Sequence, residues 1–228
     1  MRWASNDAQA LFAVVAPYAP ALVIGSTAMV NASSAIDRRM STAAYSMMGT
    51  DLPLPLEASN EAGSPKATIF AAAVFGATLV TRNERLQDAA FTSLQSLALA
   101  GGMSYAIKYS LGRGRPNDGH DASQFAPYSG NTSFPSGHAT AVFALVTPWV
   151  YYYPSPLTYG LLGVAGGTAV ARVAKQHHWP TDVVAGAALG FLTARFLTKR
   201  HLADSSRGMS IQPIATGNGA QLRFSYDF

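Results

Sequence analysis

Charged residues are scarce in this chain, and its apolar residues gather in helix-length stretches, which limits the folds available to it. Asp, Glu, Lys and Arg make up 12% of the 228 residues and hydrophobic residues 49%, whereas a soluble domain usually carries about 25% charged residues. The sequence therefore predicts an all-α fold built as a six-helix bundle. The predicted helices are 8–30, 67–81, 87–111, 137–153, 157–174 and 182–198.

The shortage of charge is compatible with a soluble helical core and with a membrane-embedded bundle. The mean hydropathy of +0.13 is low for a chain made mostly of spans. A stretch of about 15 residues gives about 22 Å of helix, against about 30 Å of hydrocarbon. Polar helix ends would complete such short spans. We favour the membrane-embedded bundle, because charge depletion and span-like stretches occur together.

The first apolar stretch is long enough for a span, although Pro17 and Pro20 would kink it. Only Arg2 is basic ahead of this stretch, and Asp7 lies where a signal peptide carries positive charge. We therefore expect a first helix rather than a signal peptide.

Net charge and composition narrow the classes of partner. The charge of +4 and the pI near 9.4 suit an anion such as a phosphate or a lipid headgroup. The Lys and Arg residues are scattered without a basic run, so we expect no nucleic-acid partner. The chain has no cysteine, which excludes disulfides and thiolate metal sites.

Two polar segments, Asp51–Pro65 and Asn117–Phe134, are predicted as loops, because Pro, Ser, Asn and Gly accumulate there. Neither segment has a pattern that identifies a ligand. If the protein is an enzyme, we expect these loops to contribute to its specificity.

The composition changes beyond His201. Two strand-like runs, Ser210–Ile214 and Gln221–Phe228, flank a Gly-Asn-Gly turn signal. We predict a small C-terminal β-hairpin, which should pack on the helices because an isolated hairpin is marginal in water. The predicted hairpin divides the chain into a helical domain at 1–205 and a hairpin or tail at 206–228.

Three short segments hold most of the residues that can do chemistry. They are Lys108-x6-Arg115-Pro116, the sequence Pro-Ser-Gly-His ending at His138, and Arg172-x5-His178-x3-Asp182. They lie at the end of the third predicted helix, the start of the fourth, the end of the fifth and the start of the sixth. In an up-down bundle, the end of an odd helix and the start of the next lie on one side. The segments should therefore converge at one end of the bundle.

The positive charges in these segments, together with the N-terminus of the fourth predicted helix, favour a phosphate ligand. Lys108, Arg115 and Arg172 would offset the charge of a phosphate and stabilise the equatorial oxygens of a transferring phosphoryl group. Ser136 is a predicted N-cap. Gly137 would let the backbone come close to an anion at the helix N-terminus.

Two histidines can share the chemistry of phosphate hydrolysis. His138 and His178 lie on different segments, as attack and leaving-group protonation from opposite sides would require. Asp182 could accept the second ring N–H of His178, or it could be a helix N-cap. The spacing to Arg172 and Asp182 selects His178 over His177. We assign His120 and His201 structural or surface roles.

A metal site is the competing interpretation of two histidines and one carboxylate. Three nearby cations would repel a divalent metal, and the chain has neither an HExxH motif nor a nucleotide phosphate loop. We therefore expect no metal and no cofactor.

The three segments resemble the site motifs of the type 2 phosphatidic acid phosphatase (PAP2) superfamily, which shares its site with bacterial class A acid phosphatases and vanadium haloperoxidases. The family pattern is KxxxxxxRP, PSGH and SRxxxxxHxxxD, and this chain has KYSLGRGRP, PSGH and ARVAKQHHWPTD in the same order. Ala171 departs from the pattern, since the family usually has Ser there. A hydroxyl contact that supports phosphate binding would then be missing.

The resemblance implies roles for the motif residues without a metal. His178 would be the nucleophile that forms a phosphohistidine, His138 the general acid and then the base, and Asp182 the residue that orients His178. The phosphate would be held by Lys108, Arg115, Ser136, Gly137 and Arg172. The implied enzyme is a phosphatase for a lipid phosphate or pyrophosphate, such as phosphatidate, phosphatidylglycerophosphate, a polyprenyl diphosphate or lipid A.

The expected location is a bacterial cell membrane with the site facing the periplasm or exterior. Arg82, Arg85, Lys199 and Arg200 lie at the predicted cytoplasmic end, although Arg38, Arg39 and Lys66 on the site side weaken that orientation. Three alternatives stay open: a soluble periplasmic acid phosphatase, a vanadate-dependent haloperoxidase, and a lipid-binding protein without activity.

Overall fold

The computed structural model describes residues 4–81, 83–206, 209–216 and 219–226. These residues form eight α-helices, two 3₁₀ turns and two strands. The helices are α1 (Ala4–Val15), α2 (Ala19–Met48), α3 (Leu54–Glu61), α4 (Pro65–Thr78), α5 (Glu84–Leu111), α6 (Gly137–Tyr152), α7 (Pro156–Ala174) and α8 (Pro180–Ser206). The 3₁₀ turns are Ala16–Tyr18 and Pro116–Asp118, and the strands are β1 (Met209–Thr216) and β2 (Gly219–Tyr226).

The helices confirm the all-α class, but the described residues hold eight of them rather than six. The predicted helix at 8–30 is two helices, because the 3₁₀ turn containing Pro17 separates α1 from α2. Beyond residue 30, α2 continues to Met48 and ends before Gly49, which has a left-handed φ of 61°. Charged residues in its second half interrupt the apolar pattern without breaking the helix.

The predicted loop Asp51–Pro65 is wrong, because it contains α3. Its prolines lie where a helix tolerates them: Pro53 is the N-cap of α3, Pro55 is in its first turn, and Pro65 is the first residue of α4. The first N–H groups of a helix have no partner within the helix, so a proline there costs no hydrogen bond. Here proline marks helix starts.

Helices α5, α6 and α7 begin and end within three residues of their predicted bounds, whereas α8 continues eight residues past its predicted end at residue 198. The Asn83 side chain accepts a hydrogen bond from Leu86 N at 3.1 Å and caps α5, which ends at the left-handed Gly112. A capping box between Ser155 and Thr158 begins α7.

Helix α6 lies at the centre of the bundle and packs on α5, α7 and α8. Two glycines of α8 make the contact with α6 possible. A β-carbon at Gly190 would collide with the Thr140 carbonyl, and one at Gly186 with the Ser136 carbonyl. Small residues of this kind allow helix backbones to approach closely. This contact fixes the start of α6 against the first turns of α8.

The two strands pair antiparallel, with Met209 opposite Tyr226 and Ile211 opposite Phe224. Part of the predicted turn, residues 217–218, lies outside the described residues. Packing of a hairpin on the helices and the division at residue 205 stay predictions.

Candidate active site

The structure brings the three motif segments together at one end of the bundle. Ser136 N donates to the main-chain oxygen of Asp182 at 2.8 Å, which joins the start of α6 to the first turn of α8. His178 N donates to the main-chain oxygen of Arg172 at 3.3 Å. The side chain of Lys108, from the end of α5, donates to the main-chain oxygen of Pro135. These contacts create one site from residues far apart in sequence.

Lys108 and Arg115 both contact Thr132, in the segment that leads into α6. Lys108 Nζ donates to the Thr132 carbonyl at 2.8 Å, and Arg115 Nη2 donates to the Thr132 hydroxyl at 3.0 Å. Burial, reinforced by the charges of Arg115 and Arg172, lowers the pKa of Lys108 to about 8, against the opposing effect of Asp182. The three predicted phosphate-binding cations are thus close enough to influence one another.

Donors of the two arginines remain available in the site. Arg115 Nε and Arg172 Nε are buried and have no hydrogen-bond partner among the described residues. Buried donors without partners are costly, and a guanidinium fork fits the oxygens of a phosphate. These two atoms are therefore the strongest structural indication of an anion ligand.

The start of α6 has the geometry of an anion site. Ser136 Oγ accepts from Ala139 N at 3.4 Å, which confirms the predicted N-cap. A β-carbon at Gly137 would lie 3.7 Å from Lys108 Cε, so the Lys108 side chain lies beside the first residue of α6. A positive helix end and an ammonium group together attract an anion.

His138 lies in the first turn of α6, half-buried beneath the α3–α4 connection. Gly63 packs on its main chain so closely that any β-carbon there would collide with it. Burial, with the charge of Arg172 as the next cause, lowers the pKa of His138 to about 4. The imidazole is therefore neutral near pH 7.

His178 is buried in the turn between α7 and α8. Burial, followed by the charges of Lys108 and Arg172, lowers its pKa to about 4, while Asp182 opposes the shift. Its Nδ1 lies 3.6 Å from Asp182 Oδ2, beyond the normal hydrogen-bond range. The ring therefore presents a neutral imidazole whose Nδ1 faces a carboxylate.

Asp182 is not the N-cap of α8, because the helix begins at Pro180. It is the third helical residue, and its Oδ2 accepts from Trp179 N at 2.8 Å, the reciprocal half of a capping box. The same oxygen accepts from Ser133 Oγ at 2.5 Å, and Oδ1 accepts from Arg113. The carboxylate is held from three directions.

Besides Ser133, two further residues that were not predicted from the sequence reach this site. Arg113 lies inside the first motif and contacts Asp182. Asn60, at the end of α3, accepts from Arg172 Nη1 at 3.4 Å. No sequence signal separates Arg113 from Lys108 and Arg115 in the same motif, and Asn60 lies in the segment predicted to be a loop.

Helix α3 is attached to α7 beside the site. Thr168 Oγ1 donates to the Ser59 carbonyl, and Lys175 pairs with Glu57 at 2.7 Å. Gly167 gives α3 the room to approach, since a β-carbon there would collide with Ser59. Asn60 is thereby fixed next to Arg172.

The remaining histidines occupy different surroundings. His177 Nδ1 is buried in the same turn as His178 without a hydrogen-bond partner in the described chain. His120 packs on Gly114 in the segment before α6. His201 is fully buried far from the site, with Nε2 2.7 Å from Asp7 Oδ2 and Nδ1 2.8 Å from Thr92 Oγ1. Its role in the fold is structural.

The sequence that forms this site matches a known family. The sequence profile of the PAP2 superfamily matches residues 89–205, a range that includes all three motif segments. The chain belongs to the PAP2 superfamily. The PAP2 match covers helices α5 to α8, so the helices before α5 lie outside it.

Individual relatives of this PAP2 chain align over shorter segments. A lipid A 1-phosphatase of Porphyromonas gingivalis is 41% identical over 99 residues, which cover 42% of this chain and 20% of the relative. A lipid A 1-phosphatase of Rhizobium johnstonii is 34% identical over 100 residues, which cover 42% of this chain and 41% of the relative. The chain thus matches less than half the length of these relatives.

A solved structure supports the fold across most of the chain. The transmembrane PAP2 type phosphatidylglycerolphosphate phosphatase of Bacillus subtilis superposes with a TM-score of 0.58 at 22% identity. The match covers 83% of this chain and 98% of the Bacillus protein. The superposition covers more of the chain than the profile match does, so the two proteins also share a fold beyond residues 89–205.

Proposed function

We propose that this protein is a membrane-bound phosphatase that hydrolyses a lipid phosphate or pyrophosphate through a phosphohistidine on His178. One observation carries the proposal: the unpartnered, buried Nε atoms of Arg115 and Arg172 lie in the same site as two neutral imidazoles. That arrangement supplies an anion cradle and the groups needed to transfer a phosphoryl group.

Phosphate binding would use the cations and the start of α6. The forks of Arg115 and Arg172 would each take phosphate oxygens, and Lys108 would turn from the main-chain oxygens that it now contacts. The Ser136 hydroxyl and Gly137 N–H lie at the helix start. These donors stabilise the transition state because negative charge spreads over the equatorial oxygens there.

The first chemical step would be attack by His178 Nε2 on phosphorus. Nδ1 faces Asp182, so Nε2 is the nitrogen that is free to attack. A bond forms between Nε2 and phosphorus, the bond from phosphorus to the lipid oxygen breaks, and His138 gives a proton to that oxygen. Because the pKa of His178 is about 4, its lone pair is available near neutral pH.

The second step would hydrolyse the phosphohistidine. His138, now neutral, takes a proton from water while the water oxygen attacks phosphorus, and the bond from phosphorus to Nε2 breaks. Inorganic phosphate leaves and both histidines return to their starting forms. A bound phosphate dianion favours the protonated imidazole of His138, which offsets the effect of burial before the first step.

A lipid is the proposed substrate class because an apolar groove begins beside the site. The groove has a volume of about 330 Å³ and lies between α4, α5, α6 and α7. At one end Ala62 precedes Gly63, which packs on His138, and at the other end lies Trp149. An acyl chain would fit there. The lipid A 1-phosphatases among the relatives favour a phosphorylated lipid.

A membrane location is supported by the surface of the bundle. Helices α7 and α8 contain apolar segments long enough to span a bilayer, Pro156–Ala174 and Pro180–Ala203. Large apolar side chains are exposed around the bundle, and buried Ser and Thr residues lie between the helices, as in membrane helix packing. Arg195, Lys199 and Arg200 near the end of α8 support a site on the opposite, external side.

The direct test is a phosphate-release screen with the purified chain in detergent. The panel would contain lipid A, phosphatidate, phosphatidylglycerophosphate, a polyprenyl diphosphate and the small ester p-nitrophenyl phosphate. We expect turnover of at least one lipid at a kcat/KM above that of the small ester. Turnover of the small ester alone, by protein that stays in water without detergent, would favour a soluble acid phosphatase.

A further inference from the structure

Arg113 is a fully buried guanidinium group whose five N–H donors are all used. Nε and Nη2 donate to the Ala122 carbonyl, and Nη1 donates to Thr181 Oγ1 at 2.9 Å. Nη1 also donates to Asp182 Oδ1, and Nη2 to Asp37 Oδ2 at 2.7 Å. The rings of Phe125 and Trp179 lie 5.6 Å from the guanidinium carbon. Arg113 has no donor left for a phosphate.

Asp37 connects this arginine to the N-terminal part of the chain. It lies on α2 and is fully buried. Its Oδ2 accepts from Arg113 and from the Thr181 hydroxyl at 2.6 Å, and its Oδ1 accepts from Thr181 N at 3.0 Å. We call Asp37, Arg113, Thr181 and Asp182 the Arg113 network. In this network the Arg113 guanidinium group binds the carboxylates of both Asp37 and Asp182.

The network fixes the carboxylate that faces the proposed nucleophile. Arg113 holds Asp182 Oδ1, while Ser133 and the Trp179 N–H hold Oδ2. With both oxygens held, the carboxylate cannot rotate away from His178, whose Nδ1 lies 3.6 Å from Oδ2. A shift of tenths of an ångström would close this distance to a hydrogen bond.

We propose that Asp37 and Arg113 are positioning residues, which act through the Asp182 carboxylate to orient the His178 imidazole. The inference rests on the proposed function of His178. It extends the site beyond the PAP2 profile match, because Asp37 lies on α2 and the match begins at residue 89. Buried ion pairs are weak evidence for stability, so this role must be separated from a purely structural one.

Asp37→Asn tests the role with least disturbance. It keeps the side-chain shape and leaves Arg113 paired with Asp182. We expect kcat per folded enzyme to fall about 10- to 100-fold, since a small misplacement of a reacting group costs about that much. KM should stay within about twofold, because no phosphate ligand changes. Thr181→Val, which removes one hydroxyl at constant shape, should lower kcat less.

Arg38→Gln is the matched control. Arg38 follows Asp37 on α2 and pairs with Asp121 at 3.0 Å, but both side chains are about half exposed. Its loss should leave kcat and KM unchanged. Thermal unfolding in detergent shows which variants are folded.

A double-mutant cycle distinguishes a positioning role of Asp37 from a purely structural role. If Asp37 acts through Asp182, then adding Asp37→Asn to Asp182→Asn should lower kcat no further. Equal losses in both backgrounds, or an unchanged kcat in Asp37→Asn and Thr181→Val, would overturn the proposal.

Nitrogen-15 NMR of His178 separates this proposal from the proposed function. We expect the proton to reside on Nδ1 in the unmodified protein and to divide between the two ring nitrogens in Asp37→Asn. Identical His178 spectra would overturn the positioning role, even if no lipid in the panel were hydrolysed. Failure of the whole panel with the expected NMR change would contradict only the proposed function.

Discussion

His178 Nδ1 and Asp182 Oδ2 are 3.6 Å apart, and both groups are buried. The same oxygen accepts from the main-chain N–H of Trp179, the residue after His178, at 2.8 Å. The turn between α7 and α8 is therefore folded around the carboxylate, which the fold itself places close to the imidazole.

The activity of this pair should depend on pH in a defined direction. His178 must be neutral to attack, and its pKa of about 4 means that kcat/KM falls below about pH 4. Enzyme and substrate must together supply one proton to the leaving oxygen. The pKa of His138 is about 4 and the second pKa of a phosphate is about 6, so this proton is lost above about pH 6. We expect a maximum of kcat/KM between about pH 4 and 6 and a tenfold decrease per unit above it.

The pH profile is measured with one lipid in one detergent, with stability checked at each pH. Protonated Lys108 is also lost above its pKa of about 8, which steepens the alkaline side. A kcat/KM that stays constant up to pH 9 would contradict the assigned proton donor.

Asn60→Ala should weaken phosphate binding. Its side chain accepts from Arg172 Nη1 at 3.4 Å, so its loss frees the guanidinium group to move. One such hydrogen bond contributes about 0.5–1.5 kcal/mol; KM should therefore rise about two- to tenfold, with kcat changed less. Steady-state kinetics checks this, with Ser46→Ala as the control, since the Ser46 hydroxyl donates to the Ala43 carbonyl within its own helix at 2.9 Å. An unchanged KM would show that phosphate binding by Arg172 does not depend on its hydrogen bond to Asn60.

Gly190→Ala should destabilise the bundle. Its β-carbon would lie 2.2 Å from the Thr140 carbonyl, so α6 and α8 must separate. Overpacking of this kind costs about 1–3 kcal/mol, visible as a lower Tm in detergent. Gly163→Ala on α7 is the control, because its β-carbon would meet no other element within 4 Å in the described part of the chain, and it should be neutral or stabilising. Equal Tm values for the two variants would contradict the close contact.

Sequence alone predicted the motif-bearing half of the fold better than the first half. The apolar, charge-poor stretches placed α5, α6 and α7 within three residues, and they placed the start of α8 but not its end. The prolines of α3 and the charges on α2 misled the prediction, because proline at a helix start and charge inside a long helix both resemble a loop. In α2, the charge at Asp37 is compensated by Arg113, which lies 76 residues away.

The residues of the candidate site were predictable where the residue type itself indicates the chemistry, as cations do for phosphate binding and histidines for phosphoryl transfer. Lys108, Arg115, Arg172 and the two histidines follow from charge and spacing, and the structure places them together. Arg113 and Asn60 could not be assigned, since their partners are set by the packing of α2 and α3 on the later helices. Long-range pairs such as Asp37 and Arg113 leave no periodic signal in a single sequence.

Phosphate release from a lipid phosphate by the unmodified protein and by His178→Ala, measured side by side in detergent, tests the central claim most directly. Rapid-quench mass spectrometry of the intact chain should show one added phosphoryl group during turnover of the unmodified protein. We predict that His178→Ala is folded, lacks the phosphoryl adduct and loses about 10³-fold or more of kcat. A folded His178→Ala that retains turnover would contradict the assignment of His178 as the nucleophile.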